Sequence, residues 1–289
     1  MGRDIRASQT VSSIPYGFDR YGRPLRIWRK RRDLSLGEAL RYPVIDGPGI
    51  ALMVLLPPFL SIMTLPSFDM IVHFKPGNVL SPFHLIMIPF ALPLVFCSTL
   101  TIGYALIFLG RILVAAASGQ DDHPRLPIWD RVEILEELVR WTWAGLLGLA
   151  IGGLPALSYW KHCGPVEWYD LVVFVALALV GIAYAQMSLM TALLHETLTA
   201  SNPETTLRSI ARIGIDYAAP CLVTTTTALM GLAGWWMVLL HSPSPEIGLL
   251  GLWAGWVLTL YSGMMVMRVL GTLYYKNESR LAWFRTTRG

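Results

Sequence analysis

Charge is what this sequence has least of. Only 15% of its 289 residues are Asp, Glu, Lys or Arg, while 54% are hydrophobic; soluble domains carry about 25% charged residues. That shortage excludes a large soluble core and, with a mean hydropathy of +0.51, points to a polytopic membrane protein. Cysteine is scarce as well. Cys97, Cys163 and Cys221 lie far apart, which excludes a disulfide framework and a Cys-x-x-Cys metal or redox site. An early apolar segment is missing: the first 48 residues are polar and arginine-rich. No cleaved secretory signal is therefore expected, and the first apolar run should act as an uncleaved anchor. The net charge of +4 does not imply nucleic acid, because the basic residues stand at the ends of apolar runs rather than in a binding motif.

What is present is a series of long apolar runs. Crossing the hydrocarbon takes about 20 apolar residues, and Gly49–Leu65, Pro82–Leu109, Trp141–Trp160, Leu171–Leu194, Ala218–Leu240 and Gly248–Met267 qualify. The second run stays apolar past Gly110 and Arg111 and carries Pro89 and Pro93; it reads as one tilted helix extending beyond the bilayer. Basic residues orient the chain. Ten precede the first run, four lie between Arg111 and Arg140, two are Arg208 and Arg212, and five follow from Arg268, whereas the alternate loops hold only Lys75 and Lys161. This asymmetry places both termini and the two longer connections in the cytoplasm. Trp141 and Trp143 mark one interface; Trp160, Trp168, Trp235, Trp236, Trp253 and Trp256 mark the other.

The expected fold is thus an all-α integral membrane protein with six transmembrane helices as three hairpins over residues 49–275. Basic cytoplasmic tails flank it at 1–48 and 276–289. Each hairpin is entered from a cytoplasmic polar or amphipathic segment: "LSLGEALRYPVIDGPG", "LPIWDRVEILEELVRW" and "NPETTLRSIARIGIDY". In the second, Ile128, Val132, Leu135 and Leu138 recur at helical spacing opposite Glu133, Glu136 and Glu137, as in a helix lying in the interface. Asn202-Pro203-Glu204 opens the third as a helix start. The three segments are an architectural echo rather than a demonstrated repeat.

Few residues invite chemistry. "GQDDHPRLPIWD", Gly119 to Asp130, gathers three carboxylates, a histidine and an arginine. Asp121, Asp122 and His123 could offer ligands to a divalent metal, but neighbours on one loop do not converge on an ion without further donors. A solvated turn is expected instead, with Gly119 as helix stop and Trp129 as headgroup anchor. "EILEELVRW" has the paired glutamates and arginine of membrane-embedded CAAX-type proteases, yet two residues rather than three precede Arg140. His162, His195 and His241 fall at helix ends, so no imidazole is placed to hold a metal-bound water; Glu136 and Arg140 should simply pair at four-residue spacing. His73, His162 and His241 fall one in each external loop, with His84 at the start of the second run, and show no supporting pattern for metal or haem.

Between their ends the apolar runs contain no Asp, Glu, Lys or Arg, which proton relays and ion pathways require. Catalysis and cofactors are accordingly not expected. Gln186, Ser188, Thr191 and Thr224–Thr227 are polar exceptions whose hydroxyls can bond back to their own helix, or line a path for a neutral solute. Gly148-x3-Gly152 and Gly251-x3-Gly255 suit close helix packing, within the chain or in an oligomer. Arg111 should snorkel to phosphate or pair with Asp130 or Asp216, the latter also standing four residues after Arg212. Trp28, Arg29, Lys30, Arg31 and Arg32, with Tyr16, Phe18 and Tyr21, suit anionic lipid or an acidic partner surface, each charge contributing about 1 kcal/mol near a leaflet. Arg111, Trp129 and Asp130 complete the candidate lipid or partner contacts.

"EALRYPVIDGPG" and "GYALIFLGRILVAAASGQDDHPRLPIWD" together resemble an uncharacterised family of bacterial multi-pass membrane proteins, catalogued as a domain of unknown function. In that family the turn keeps Leu-Pro, an aromatic residue and Asp, which match Leu126, Pro127, Trp129 and Asp130. The resemblance extends over residues 36 to 275, with the Asp121-Asp122-His123 insert and the arginine-rich stretch from Arg20 to Arg32 particular to this chain. It implies a six-helix protein of the bacterial cytoplasmic membrane without an assigned activity or cofactor. The resulting expectation is a non-catalytic structural or accessory subunit, with other integral membrane subunits and anionic lipids as partners and no nucleic acid. The alternative is a transporter component for a small neutral or lipid-like solute.

Overall fold

The computed structural model describes residues 36–73, 82–119, 124–163, 167–218, 220–227, 245–281 and Trp283. All the secondary structure among them is helical. Helix α1 (Leu36–Ile45) is short, and α2 (Gly47–His73) and α3 (Pro82–Ala117) follow. Then come α4 (Arg131–His162), α5 (Trp168–His195), a 3-10 turn (Leu198–Ser201) and α6 (Pro203–Ile213). A second 3-10 turn (Gly214–Tyr217) leads into helical residues 220–227, here α7, and the chain closes on α8 (Pro245–Leu281). Pro93–Ala117 of α3, the whole of α4 and of α5, and Leu250–Glu278 of α8 are long and apolar enough to cross a membrane; Gly47–Met63 is a shorter apolar helix. The run expected over Ala218–Leu240 lies mostly outside the described residues, as do Trp28, Arg29, Lys30, Arg31, Arg32 and the Asp121-Asp122-His123 insert.

Helix boundaries follow local chemistry. Asp46 precedes α2, and its Oδ2 accepts the Gly49 N–H at 3.2 Å, capping one of the donors that a helix start leaves open. Asp130 caps α4 in the same way, accepting from Val132 N at 3.0 Å, and Asn202 caps α6 through Thr205 N at 2.9 Å with proline in the first turn. Helix α3 stops at Gly119, whose φ of +68° only glycine adopts without strain, with the Tyr275 ring lying where a Cβ would stand. The segment expected to lie in the interface is instead the first part of α4. Arg131 to His162 form one continuous helix, because nothing between Glu133 and Trp143 interrupts helical propensity and the inner-face residues pack along α3.

Helices α4 and α5 run antiparallel, α3 and α8 parallel, and both pairs meet through small residues. Gly148 and Gly152 of α4 face Gly181 of α5 so closely that a Cβ on Gly181 would stand 2.7 Å from the Gly148 carbonyl oxygen. Gly271 of α8 allows the same approach to Leu113 and Ala116 of α3. Gly103 receives Ile134 and Leu138 of α4. Gly255 is buried and Gly251 half-buried within α8. The dense core lies at the end where α3, α5 and α8 finish and α4 begins. Phe108, Ile112, Leu113, Ile134, Met187, Met190, Met264, Leu270 and Leu281 are all buried there. Toward the opposite end α4 and α5 turn Leu146, Leu149, Leu154, Leu157, Leu171, Val172 and Val175 outward.

Candidate functional site

Among the described residues, the ion pairs of α3 and α4 fall at the densely packed end. Arg111, on the last turns of α3, reaches Glu133 on the first turn of α4 at 3.2 Å. The expected partners Asp130 and Asp216 are both otherwise engaged: Asp130 caps α4, and Asp216 pairs with Arg280 of α8 rather than with Arg212. Arg212 donates instead to the Leu281 carbonyl at 3.0 Å. Arg140 holds Glu137 at 2.8 Å through Nη1 and Glu136 at 3.3 Å through Nη2, and Nη2 also reaches the Glu196 carbonyl at 3.4 Å, just past the end of α5. The pair at four-residue spacing is therefore present, but the shorter contact is to Glu137.

Glu137 is the residue that the sequence pattern misplaces. It reads as part of the polar face, yet its side chain is only 8% exposed and points at α3, where Gly110 makes room: a Cβ there would lie 2.5 Å from Glu137 Oε1. The outward face of the same turns is apolar, with Val132, Leu135 and Val139 exposed. These side chains, Glu136, Arg140, Glu196 and Leu198 line a shallow groove of about 570 Å3. Trp129 stacks on Tyr104 with ring centroids 5.5 Å apart, and the Tyr104 hydroxyl donates to the Pro127 carbonyl at 3.0 Å. The Leu-Pro-x-Trp-Asp turn is thus tied to α3 as well as capping α4.

A second buried charge closes the other side of this end. Arg268 of α8 is 3% exposed and its guanidinium lies 4.8 Å over the Tyr42 ring of α1, a cation–π contact. Asp46, wholly buried, adjoins the same ring. Burial, then the Asp46 charge, push the Tyr42 hydroxyl well above the ordinary tyrosine range, with Arg268 opposing. Sequence reading ended the last span at Met267 and counted Arg268 among the basic residues after it; the helix continues through it to Leu281. At the far end of the bundle, Tyr159 donates to Asp170 Oδ1 at 2.6 Å while Asp170 Oδ2 accepts from Glu167 N at 2.7 Å. That capping box fastens the start of α5 to the end of α4. Its signal, Glu167 followed three residues on by Asp170, was visible in the sequence.

The polar residues inside the apolar helices divide. Thr224, Thr226 and Thr227 each donate to a carbonyl of their own helix, at Cys221, Leu222 and Val223, and Thr191 does so at Ser188. Gln186 Oε1 and Ser188 Oγ are buried without a hydrogen-bond partner. His162 contacts the Ser158 carbonyl oxygen of its own helix at 2.7 Å, and His195 lies against Trp283 with centroids 5.5 Å apart. Among the described residues no group of three His, Cys, Asp or Glu side chains could hold a metal ion. Comparison of the chain with protein-family models, curated proteins and solved structures gives no match.

Proposed function

We propose that this chain is a non-catalytic, multi-pass subunit of the bacterial cytoplasmic membrane, with six spans and both termini cytoplasmic, that packs against other membrane proteins in a larger assembly. The observation that carries the reading is how the charges at the basic end are used. Arg111 joins α3 to Glu133 of α4 and Arg280 joins α8 to Asp216, Arg268 lies over Tyr42 of α1, Arg140 ties α4 to the Glu196 carbonyl past the end of α5 while pairing with Glu136 and Glu137 of its own helix, and the core behind them is filled by Phe108, Ile112, Met190 and Leu270. Ionisable groups committed to inter-helix contacts build a rigid surface rather than serve a reacting centre. The groove beside Val132, Leu135 and Val139 then offers a partner both apolar area and a carboxylate rim. Residues 1–35, with their concentration of arginine, supply a second contact to acidic protein or anionic lipid.

Native mass spectrometry after mild detergent extraction, paired with a native gel, tests the reading. Stoichiometric migration with a larger assembly, lost when residues 1–35 are removed while membrane insertion persists, is the expected result. A chain that travels alone or only with itself refutes it. Buried Gln186 Oε1 and Ser188 Oγ favour one second reading, a transporter component for a small neutral or lipid-like solute. Replacing Thr224–Thr227 by valine would abolish flux into liposomes under that reading and change only stability under the first.

A further inference from the structure

The connection between α5 and α7 climbs back along the bundle. Tyr217, which ends the second 3-10 turn, donates its hydroxyl to the Ala183 carbonyl at 2.6 Å. Ala183 stands twelve residues before the end of α5 at His195, about 18 Å along the helix axis and further than a tyrosine side chain reaches. The backbone at Tyr217 is therefore level with the middle of the last α5 turns, not with their end. Helix α6 occupies the height between the two, where a span of about 20 residues starting near Trp168 passes from hydrocarbon to headgroups.

Its rotation is fixed. Thr206, Ser209 and Ile213 are buried, Ser209 Oγ accepts from Trp283 Nε1 at 3.0 Å, and Arg212 donates to the Leu281 carbonyl. The outward apolar side chains are Leu207 and Ala211, four residues apart on α6, and Ile215 in the 3-10 turn after it; Leu207 is 52% and Ile215 87% exposed. Arg208 and Arg212 flank them. Arg208 is engaged with Glu204 in an exposed pair that contributes little and is readily exchanged, and each guanidinium has five N–H donors. Apolar side chains edged by arginines, at the height of the headgroups, are the chemistry of an interfacial helix.

We propose that α6 and the turn after it are a lipid-contacting element. Leu207, Ala211 and Ile215 insert at the acyl boundary of the leaflet at the basic end, and Arg208 and Arg212 engage phospholipid phosphate. The inference rests on the membrane topology proposed above.

Nitroxides placed singly at Leu207→Cys, Ala211→Cys and Ile215→Cys, with Cys97, Cys163 and Cys221 replaced, test it in phosphatidylcholine liposomes with and without phosphatidylglycerol. Val172→Cys on the outward face of α5 serves as the membrane reference and Glu204→Cys as the aqueous one. The expected result is a ratio of oxygen to nickel-chelate accessibility at 207, 211 and 215 severalfold above that at 204, approaching that at 172. Phosphatidylglycerol should raise the ratio further, and that increment should disappear with Arg208→Gln and Arg212→Gln. High nickel accessibility at 207 and 215 with a lipid-like value at 172 overturns the proposal and leaves the topology intact. A water-like value at 172 overturns both. Shielding of 207 and 215 from both reagents overturns it in favour of a protein, a second copy or another subunit, on that face.

Discussion

Removing Arg140 tests how much the bundle depends on pairing the buried Glu137 carboxylate, which α4 turns toward α3. Its side chain is 17% exposed and that of Glu137 is 8% exposed, so Arg140→Gln strands a carboxylate that has little access to water. Oε1 sits in the room that Gly110 leaves, 2.5 Å from where a Cβ would stand, so the carboxylate faces α3 rather than water. Stranding one partner of a buried pair costs about 3–5 kcal/mol, a fall in midpoint of roughly 6–20 °C at about 2–4 °C per kcal/mol. Glu136 is 40% exposed, and Glu136→Gln should cost no more than about 1 kcal/mol. Glu137→Gln keeps an oxygen for Arg140 to bond, at a cost of about 0.5–1.5 kcal/mol. The discriminating variant is the double: with Glu137→Gln in place no buried charge remains, so Arg140→Gln/Glu137→Gln should be more stable than Arg140→Gln alone. Thermal unfolding in one detergent, followed by helical circular dichroism, reads all four. Equal losses for Arg140→Gln and Glu136→Gln, or a double variant no better than Arg140→Gln, would refute the reasoning.

Three further outcomes follow from other contacts. Gly181→Val drives a side chain into the Gly148 carbonyl and the Gly152 backbone and should destabilise by about 1–3 kcal/mol, whereas Gly145→Val, with open space around it, should not; thermal midpoints compare them. Tyr159→Phe removes the 2.6 Å bond to buried Asp170 and should cost about 1–3 kcal/mol, read as faster amide exchange over Glu167–Leu171 with no change at α6. Tyr42 is held neutral in the folded chain with its ionisation pushed above the ordinary value of 10.0. Its contribution is therefore full below pH 10 and declines as pH rises beyond it, once the unfolded chain ionises first. The stability difference between the native chain and Tyr42→Phe should shrink above that pH; a constant difference in midpoint from neutral to alkaline pH would contradict the placement of Tyr42.

The helical content, the long helix from Pro82 and the start at Asn202 were legible because they depend on composition and on contacts three residues apart; Asp130, read as a partner for Arg111, is instead a cap. Gly148 and Gly152 were recognisable as a packing face; their counterpart, Gly181 with Ala185 four residues on, carries the same small-residue spacing, but spacing alone does not say which two faces meet. The orientation of the first α4 turns was not legible. Periodicity shows that Val132, Leu135 and Val139 share one face and Glu133 and Glu137 another, without saying which face meets water, lipid or protein. The burial of Glu137 depends on Gly110, 27 positions earlier, and that of Arg268 on Tyr42 and Asp46 in a different helix. Such pairings are set by tertiary contact, and a single chain carries no local mark of them.

The two ends of the bundle are built on different physics. Around Gly148, Gly152 and Gly181 the surroundings are apolar, so hydrophobic transfer gives helices no reason to associate; close backbone approach must supply the dispersion contacts instead. Leu149, Leu154, Val172 and Val175 can face outward there at no cost, because lipid is as good a neighbour as protein. Around Ile112, Met190 and Leu270 the chain approaches water, where each square ångström of apolar surface removed is worth about 25 cal/mol, and there the large side chains turn inward and the arginines find carboxylates. The outward apolar residues at this watery end, Val132, Leu135, Val139, Leu207 and Ile215, break that pattern. They obey the rule of the opposite end in the place where water should meet the chain, and that mismatch is the ground for the partner and lipid contacts proposed above.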